Sequence, residues 1–85
     1  MRGKPLDLSE VRFVKRYLIG NHNPARIKDE AEIAGDLAAM NAELARHRGV
    51  LLGREKSFIV FQINEAQVVM QYIVYHAGFR REPGE

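Results

Sequence analysis

The chain contains no cysteine, no threonine and no tryptophan, and its only serines are Ser9 and Ser57. Without cysteine there can be no disulfide framework, no thiolate nucleophile and no Cys-based zinc site. No apolar run approaches the roughly 20 residues that a membrane-spanning helix needs, and the opening stretch MRGKPLDLSE lacks the apolar core of a signal peptide. A cytoplasmic protein is therefore expected. There is no internal repeat and no low-complexity tract. Gly49 and Gly53 precede no expected helix, so no Gly-rich phosphate loop is present.

What remains is a short chain of ordinary composition. It has 85 residues, 46% hydrophobic and 28% charged, with a net charge of +2. A chain of 9.7 kDa should keep roughly 5,100 Å² of accessible surface when folded, against roughly 14,000 Å² when extended. Burying the difference contributes ~135 kcal/mol, and ordering the chain costs ~130 kcal/mol. The near-zero balance describes one marginal domain that gains from a partner.

Three segments carry helix punctuation. In the first, Asp7 and Glu10 have capping-box spacing, Leu6 and Val11 occupy the staple positions, and Gly20 follows as a left-handed terminator. With Leu8, Val11, Val14 and Leu18 at i, i+3, i+4 spacing, this predicts a helix over 8–19. In the second, Asn23 caps, Pro24 takes the first helical position and Gly49 terminates, which predicts a helix over 24–48. It carries a large ridge, Ile33, Leu37, Met40 and Leu44, beside a small one, Ala31, Ala34, Ala38 and Ala45, headed by Ile27. Gly35, on its polar side, is where a break into two helices would fall. In the last, Asn64, Gln67 and Gly78 favour a helix over 65–77, against the strand preference of Val68, Val69, Ile73 and Val74. Its narrow second face would carry Val68, Tyr72 and Tyr75.

Between the last two lie short apolar runs at 50–53 and 57–63, joined by the turn-like Gly53-Arg54-Glu55-Lys56, which predict a β-hairpin. The run Phe58-Ile59-Val60-Phe61-Gln62-Ile63 hardly alternates, so that strand should be covered on both faces. The expected fold class is α+β, in the order α-α(long)-β-β-α. A two-stranded antiparallel hairpin would pack on the helices, with the sheet open to extension by dimerisation. Residues 1–6 would form a basic lead, 7–78 the single domain and 79–85 a polar tail.

Chemistry is sparse. Ser9 and Ser57 lie in no nucleophile elbow, and His22, His47 and His76 have no metal-ligand spacing. Asp29, Glu30, Glu32 and Asp36 suit the N-terminal dipole of the long helix. No cofactor, metal or catalytic residue is expected, and the protein reads as a non-enzyme. Many cations fall in last helical turns, where the dipole favours them. Arg26, Lys28, Arg54 and Lys56 do not, and would form a helix-start and hairpin-tip surface suited to phosphates. A winged-helix arrangement would begin its recognition helix Asp36-Leu37-Ala38, a poor reader of base edges.

Partner binding has more support. The wide arc of the long helix, the two-faced strand 57–63 and the Tyr-bearing face of the last helix exceed what one small core needs. The expected function is a small non-enzymatic binding or regulatory module acting through protein–protein contacts as a homodimer. Its interface residues would be Val68, Tyr72, Tyr75, Ala34, Ala38 and Asn41. The alternative is a nucleic-acid-binding accessory protein contacting phosphates through Arg26, Lys28, Arg54 and Lys56.

Overall fold

A computed structural model describes residues 7–82. After a single 3-10 turn at Leu8–Glu10, the elements are β1 (Phe13–Gly20), α1 (Glu30–His47), β2 (Val50–Ile63) and β3 (Ala66–Phe79). The three strands form one antiparallel sheet in the order β1-β3-β2. β3 is the central strand. It pairs with β2 from Ala66 to Gly78 and with β1 from Tyr72 to Phe79.

The observed order β-α-β-β replaces the expected α-α-β-β-α. The capping box at Asp7 and Glu10 does form, but it closes only the 3-10 turn, and the backbone is extended again at Val11. The N–H of Arg12 then donates to the Phe79 carbonyl at 2.9 Å, and residues 13–20 follow as a strand. Leu8, Val11, Val14 and Leu18 fit a helical stripe. In the strand, however, Val14 and Leu18 share one face with each other, while Tyr17 and Ile19 share the opposite one, and both sets are used. Gly20, expected to end a helix, ends β1 instead, with φ +125° and its Cα facing the Tyr72 backbone.

The expected helix over 65–77 is β3. Here the β-branched residues prevailed over the caps. Asn64 is not an N-cap but the first residue of a two-residue turn, and it is the member of that turn with a positive φ, 57°. A positive φ at the first loop position only is the II′ arrangement, which matches the twist of the flanking strands. Gly78 is no helix terminator either. A Cβ there would sit 2.9 Å from a Val11 methyl, so glycine lets the N-terminal segment press onto the sheet. The expected turn at 53–56 is absent. β2 runs through it as one 14-residue strand, with a bulge between Leu51 and Gly53, and the hairpin tip is Asn64-Glu65.

The long helix is one helix, shorter at its start than the expected 24–48, and continuous through Gly35. Asn23 and Pro24 make a turn rather than a cap: the Asn23 side chain accepts from the Ala25 N–H and its carbonyl from Arg26. Asn21 closes the loop, accepting from the Lys28 N–H at 2.7 Å and donating to the Lys28 carbonyl. The true N-cap is Asp29. Its carboxylate accepts from the Glu32 N–H, and the Glu32 side chain accepts from the Asp29 N–H, a reciprocal box. Arg48 turns left-handed at the C-cap, and the Gly49 N–H reaches back to the Leu44 carbonyl.

The large ridge of α1 faces the sheet. Met40 is buried with Ile19 and Tyr75, and Ile33, Leu37, Leu44, Tyr17 and Ile73 pack around them. Phe79 is fully buried, although the sequence placed it at the start of a polar tail. Its ring lies edge-on to His47 at 6.4 Å. Among the described residues no helix is long and apolar enough to cross a membrane.

Phe79→Ala should cost about 3–5 kcal/mol and lower the thermal midpoint by more than ~12 °C, read by circular dichroism. A loss below about 1 kcal/mol would contradict the placement of Phe79 in the core.

Candidate functional site

Two regions of the molecule carry side chains that could do more than hold the fold. The first is a cleft of about 370 Å³ between β1 and α1, lined in part by Lys15, Tyr17, Lys28, Asp36, Met40 and Glu43. The Tyr17 hydroxyl donates to the Glu43 carboxylate. Lys15 Nζ reaches the same carboxylate oxygen at 2.9 Å and sits 4.8 Å from the Tyr17 ring centre. At the other end Lys28 Nζ meets Asp36 at 2.6 Å. Two cations thus face two carboxylates: the Glu43 contacts tie α1 to the edge strand β1, and the Lys28–Asp36 pair ties the preceding loop to α1. The Tyr17 and Lys15 hydrogen bonds hold the Glu43 carboxyl below its ordinary value. Burial, the hydrogen bond to Glu43 and its charge push the Tyr17 hydroxyl well above the usual tyrosine range.

The second region is the sheet surface away from α1. Side chains alternate along each strand, so the residues flanking the core set point away from the helix: Val14 and Leu18 on β1, Val68, Met70, Tyr72 and Val74 on β3, and Ile59, Phe61 and Ile63 on β2. Val14 is 61% exposed and Ile63 50%. The only helix among the described residues lies on the other side.

Beyond Tyr72 the sheet loses β1, and residues 58–63 and 66–71 continue as a two-stranded arm, roughly 20 Å long at about 3.4 Å per residue. The arm is apolar on its α1 side as well, where Phe58, Val60 and Val69 are each more than half exposed. Its strands contain no charged residue; the nearest charge is Glu65 in the turn. Two-stranded hairpins are marginal in water on their own. The chain exposes 6547 Å², against roughly 5,100 Å² for a compact chain of this mass, and its radius of gyration is 15.7 Å, against roughly 12 Å.

The residues singled out from the sequence are dispersed. Val68 and Tyr72 lie on the uncovered sheet face, with His22 edge-on to Tyr72 at 5.7 Å. Strand alternation places Tyr75 on the opposite face, buried beneath α1, so the expected Val68/Tyr72/Tyr75 face does not form. Ala34, Ala38 and Asn41 are exposed on α1. Arg26 pairs with Glu32 at 3.0 Å and Lys28 with Asp36; both are tied to the start of α1. Arg54 and Lys56 are mid-strand residues of β2, opposite Tyr75 and Ile73, not a hairpin tip, and neither has an ion-pair partner among the described residues.

Ser9 is in the 3-10 turn and Ser57 faces Tyr72 across the strands. His76 meets Glu55 at 3.2 Å, and His47 ends α1. Among the described residues no three His, Asp or Glu side chains converge as metal ligands. Sequence reasoning missed that Ile59, Phe61 and Met70 share one face, where Met70 is buried and Ile59 and Phe61 are half-buried. Their signal was the absence of charge from 57–63 and again from 66–75. Comparison with protein-family models, with curated proteins and with solved structures finds no match to this chain.

The cleft predicts a two-sided pH dependence. Because the Glu43 pKa is lowered in the folded state, its contribution is present above 4.5, the ordinary value, and is lost as pH falls through the lower folded value. Because the Tyr17 pKa is raised, its contribution is present below 10.0 and is lost as pH climbs above that. Glu43→Gln should therefore be less stable than the parent at pH 7, with the gap closing as pH falls below 4.5 and through the lower folded value. Tyr17→Phe should flatten the loss above pH 10. Urea midpoints across pH read both; parallel profiles for parent and variants would contradict the clamp.

Proposed function

We propose that this protein is a small non-enzymatic binding module that works through protein–protein contacts, with a second copy of itself as the first partner. The observation that carries this reading is the apolar surface left outside the fold, gathered on the arm at Phe58, Val60 and Val69 on its α1 side and Ile63 on the other, and at Val14 and Leu18 of β1. Exposed apolar patches of this kind on a small chain mark contact surfaces. The paired state of Lys15, Lys28, Asp36 and Glu43 supports the same reading, because the cleft between β1 and α1 offers charges already neutralised by one another.

Light scattering at two concentrations tests it. The parent should be dimeric in the micromolar range, and Phe61→Glu, which places a charge on the uncovered face, should weaken association at least tenfold with an unchanged circular dichroism spectrum. A strict monomer at high micromolar concentration would sink the reading. A second reading, phosphate binding to nucleic acid, rests on the unpaired Arg54 and Lys56. It requires retention on a DNA or RNA column at ~50 mM salt, lost on charge reversal at those two residues.

A further inference from the structure

The sheet has two edge strands, β1 and β2, with the free side of β3 at 66–71 a further short edge beyond Gly20, and they differ in how they are protected. Native proteins blunt a free edge with charges, bulges or a covering element. The β1 edge carries Lys15 and Arg16 and is tied to α1 by the Lys15–Glu43 pair. The first half of β2 carries the bulge at Leu51/Gly53 and then Arg54, Glu55 and Lys56. Its second half, Ser57-Phe58-Ile59-Val60-Phe61-Gln62-Ile63, has none of these devices. It is uncharged, contains no Pro or Gly, and is rich in β-branched and aromatic residues, the composition that pairs most readily with another strand.

The turn fixes which backbone groups are free. In a hairpin closed by two residues, the flanking pair, here Ile63 and Ala66, exchanges both hydrogen bonds. The register is regular from Gly53 onward. The N–H and C=O of Ile59, Phe61 and Ile63 therefore face β3, and those of Phe58, Val60 and Gln62 face outward.

We propose that this distal edge of β2 pairs with the same segment of a second copy, antiparallel about a two-fold axis at Val60, joining two sheets into one of six strands. The inference rests on the self-association reading above and names its geometry. Pairing about Val60 sets Phe58 opposite Gln62 of the other copy and Val60 opposite itself, so the outward backbone groups satisfy one another. Ile59 then meets Phe61 of the other copy on the uncovered face, and Arg54 and Glu55 stay outside the paired stretch. An axis at Glu55 would oppose two Glu55 carboxylates and set Arg54 against Lys56, both unfavourable. Two copies so joined cover the open edge of each arm, where the outward backbone groups of Phe58, Val60 and Gln62 lie, and bring its uncharged side chains together across the axis.

Val60→Pro tests the geometry. It removes an outward N–H that β3 does not use, and proline is tolerated where the strand N–H faces outward. The isolated chain should keep its spectrum while the dissociation constant measured by analytical ultracentrifugation rises at least tenfold. Val60→Lys, which sets two cations face to face, should weaken association more at low salt than at high salt. In a chain without native cysteine, Val60→Cys should form a disulfide-linked dimer on mild oxidation, and Glu55→Cys should not. If the parent is a monomer, both this proposal and the self-association reading fall. If the parent dimerises but Val60→Pro and Val60→Lys associate as it does, the edge pairing falls and self-association stands. Should Val60→Pro fail to fold, the cysteine pair decides: cross-linking at residue 55 rather than 60 overturns the proposal.

Discussion

β3 is hydrogen-bonded on both of its edges, to β1 from Tyr72 to Phe79 and to β2 from Ala66 onward, and the other features of the molecule follow from that double pairing. Once residues 66–79 form the central strand, alternation assigns every neighbour to a face. Ile73, Tyr75, Ala77 and Phe79 turn to one side, where α1 lays Ile33, Leu37, Met40 and Leu44 against them. Met70, Tyr72 and Val74 turn to the other, where no helix lies among the described residues and Met70 and Val74 are buried by their strand neighbours and the loops alone. Because β1 ends at Gly20, the last third of the hairpin has a neighbour on neither outer edge. The same strand that makes the core also generates the uncovered face and the arm.

Legibility in the sequence followed the range of the interaction. The core stripe of α1 was readable because helical periodicity is local, and the end of the helix at Gly49 was readable because its terminator is adjacent in the chain. The caps misled wherever the decisive contact was distant. Asp7 and Glu10 form a true capping box, yet the extended segment beyond it gains a full ladder with β3, a partner some sixty residues away that no window of sequence displays. Asn64 offers a side chain suited to a helix start and a backbone equally suited to a positive-φ turn. The β-branched run 68–74 settled which use prevailed. The start of α1 slipped from Pro24 to Glu30 because Asn21 and Asn23 spend their hydrogen bonds on the loop, leaving Asp29 to cap.

The candidate surface was half legible. The run 57–63 read as apolar on both faces, and so it is, but assigning 65–77 to a helix scattered its partners. Val68 and Tyr72 were placed beside Tyr75 by a helical projection. On a strand the parity separates them, and Tyr75 becomes a core residue. The basic residues had partners that the sequence did not display. Arg26 and Lys28 oppose the helix dipole, but each has a carboxylate one or two turns into α1, Glu32 for Arg26 and Asp36 for Lys28.

Taken together, charge and apolar surface are segregated along β2. Its bulged, charged half is protected as an edge, while its uncharged half presents open backbone groups at Phe58, Val60 and Gln62. Hydrogen–deuterium exchange of these three amides across a dilution series tests the account most directly. Their exchange should be rapid at low concentration and strongly slowed as the protein is concentrated, while Ile59, Phe61 and Ile63 are protected throughout. Exchange at Phe58, Val60 and Gln62 that stays rapid at every concentration would contradict it.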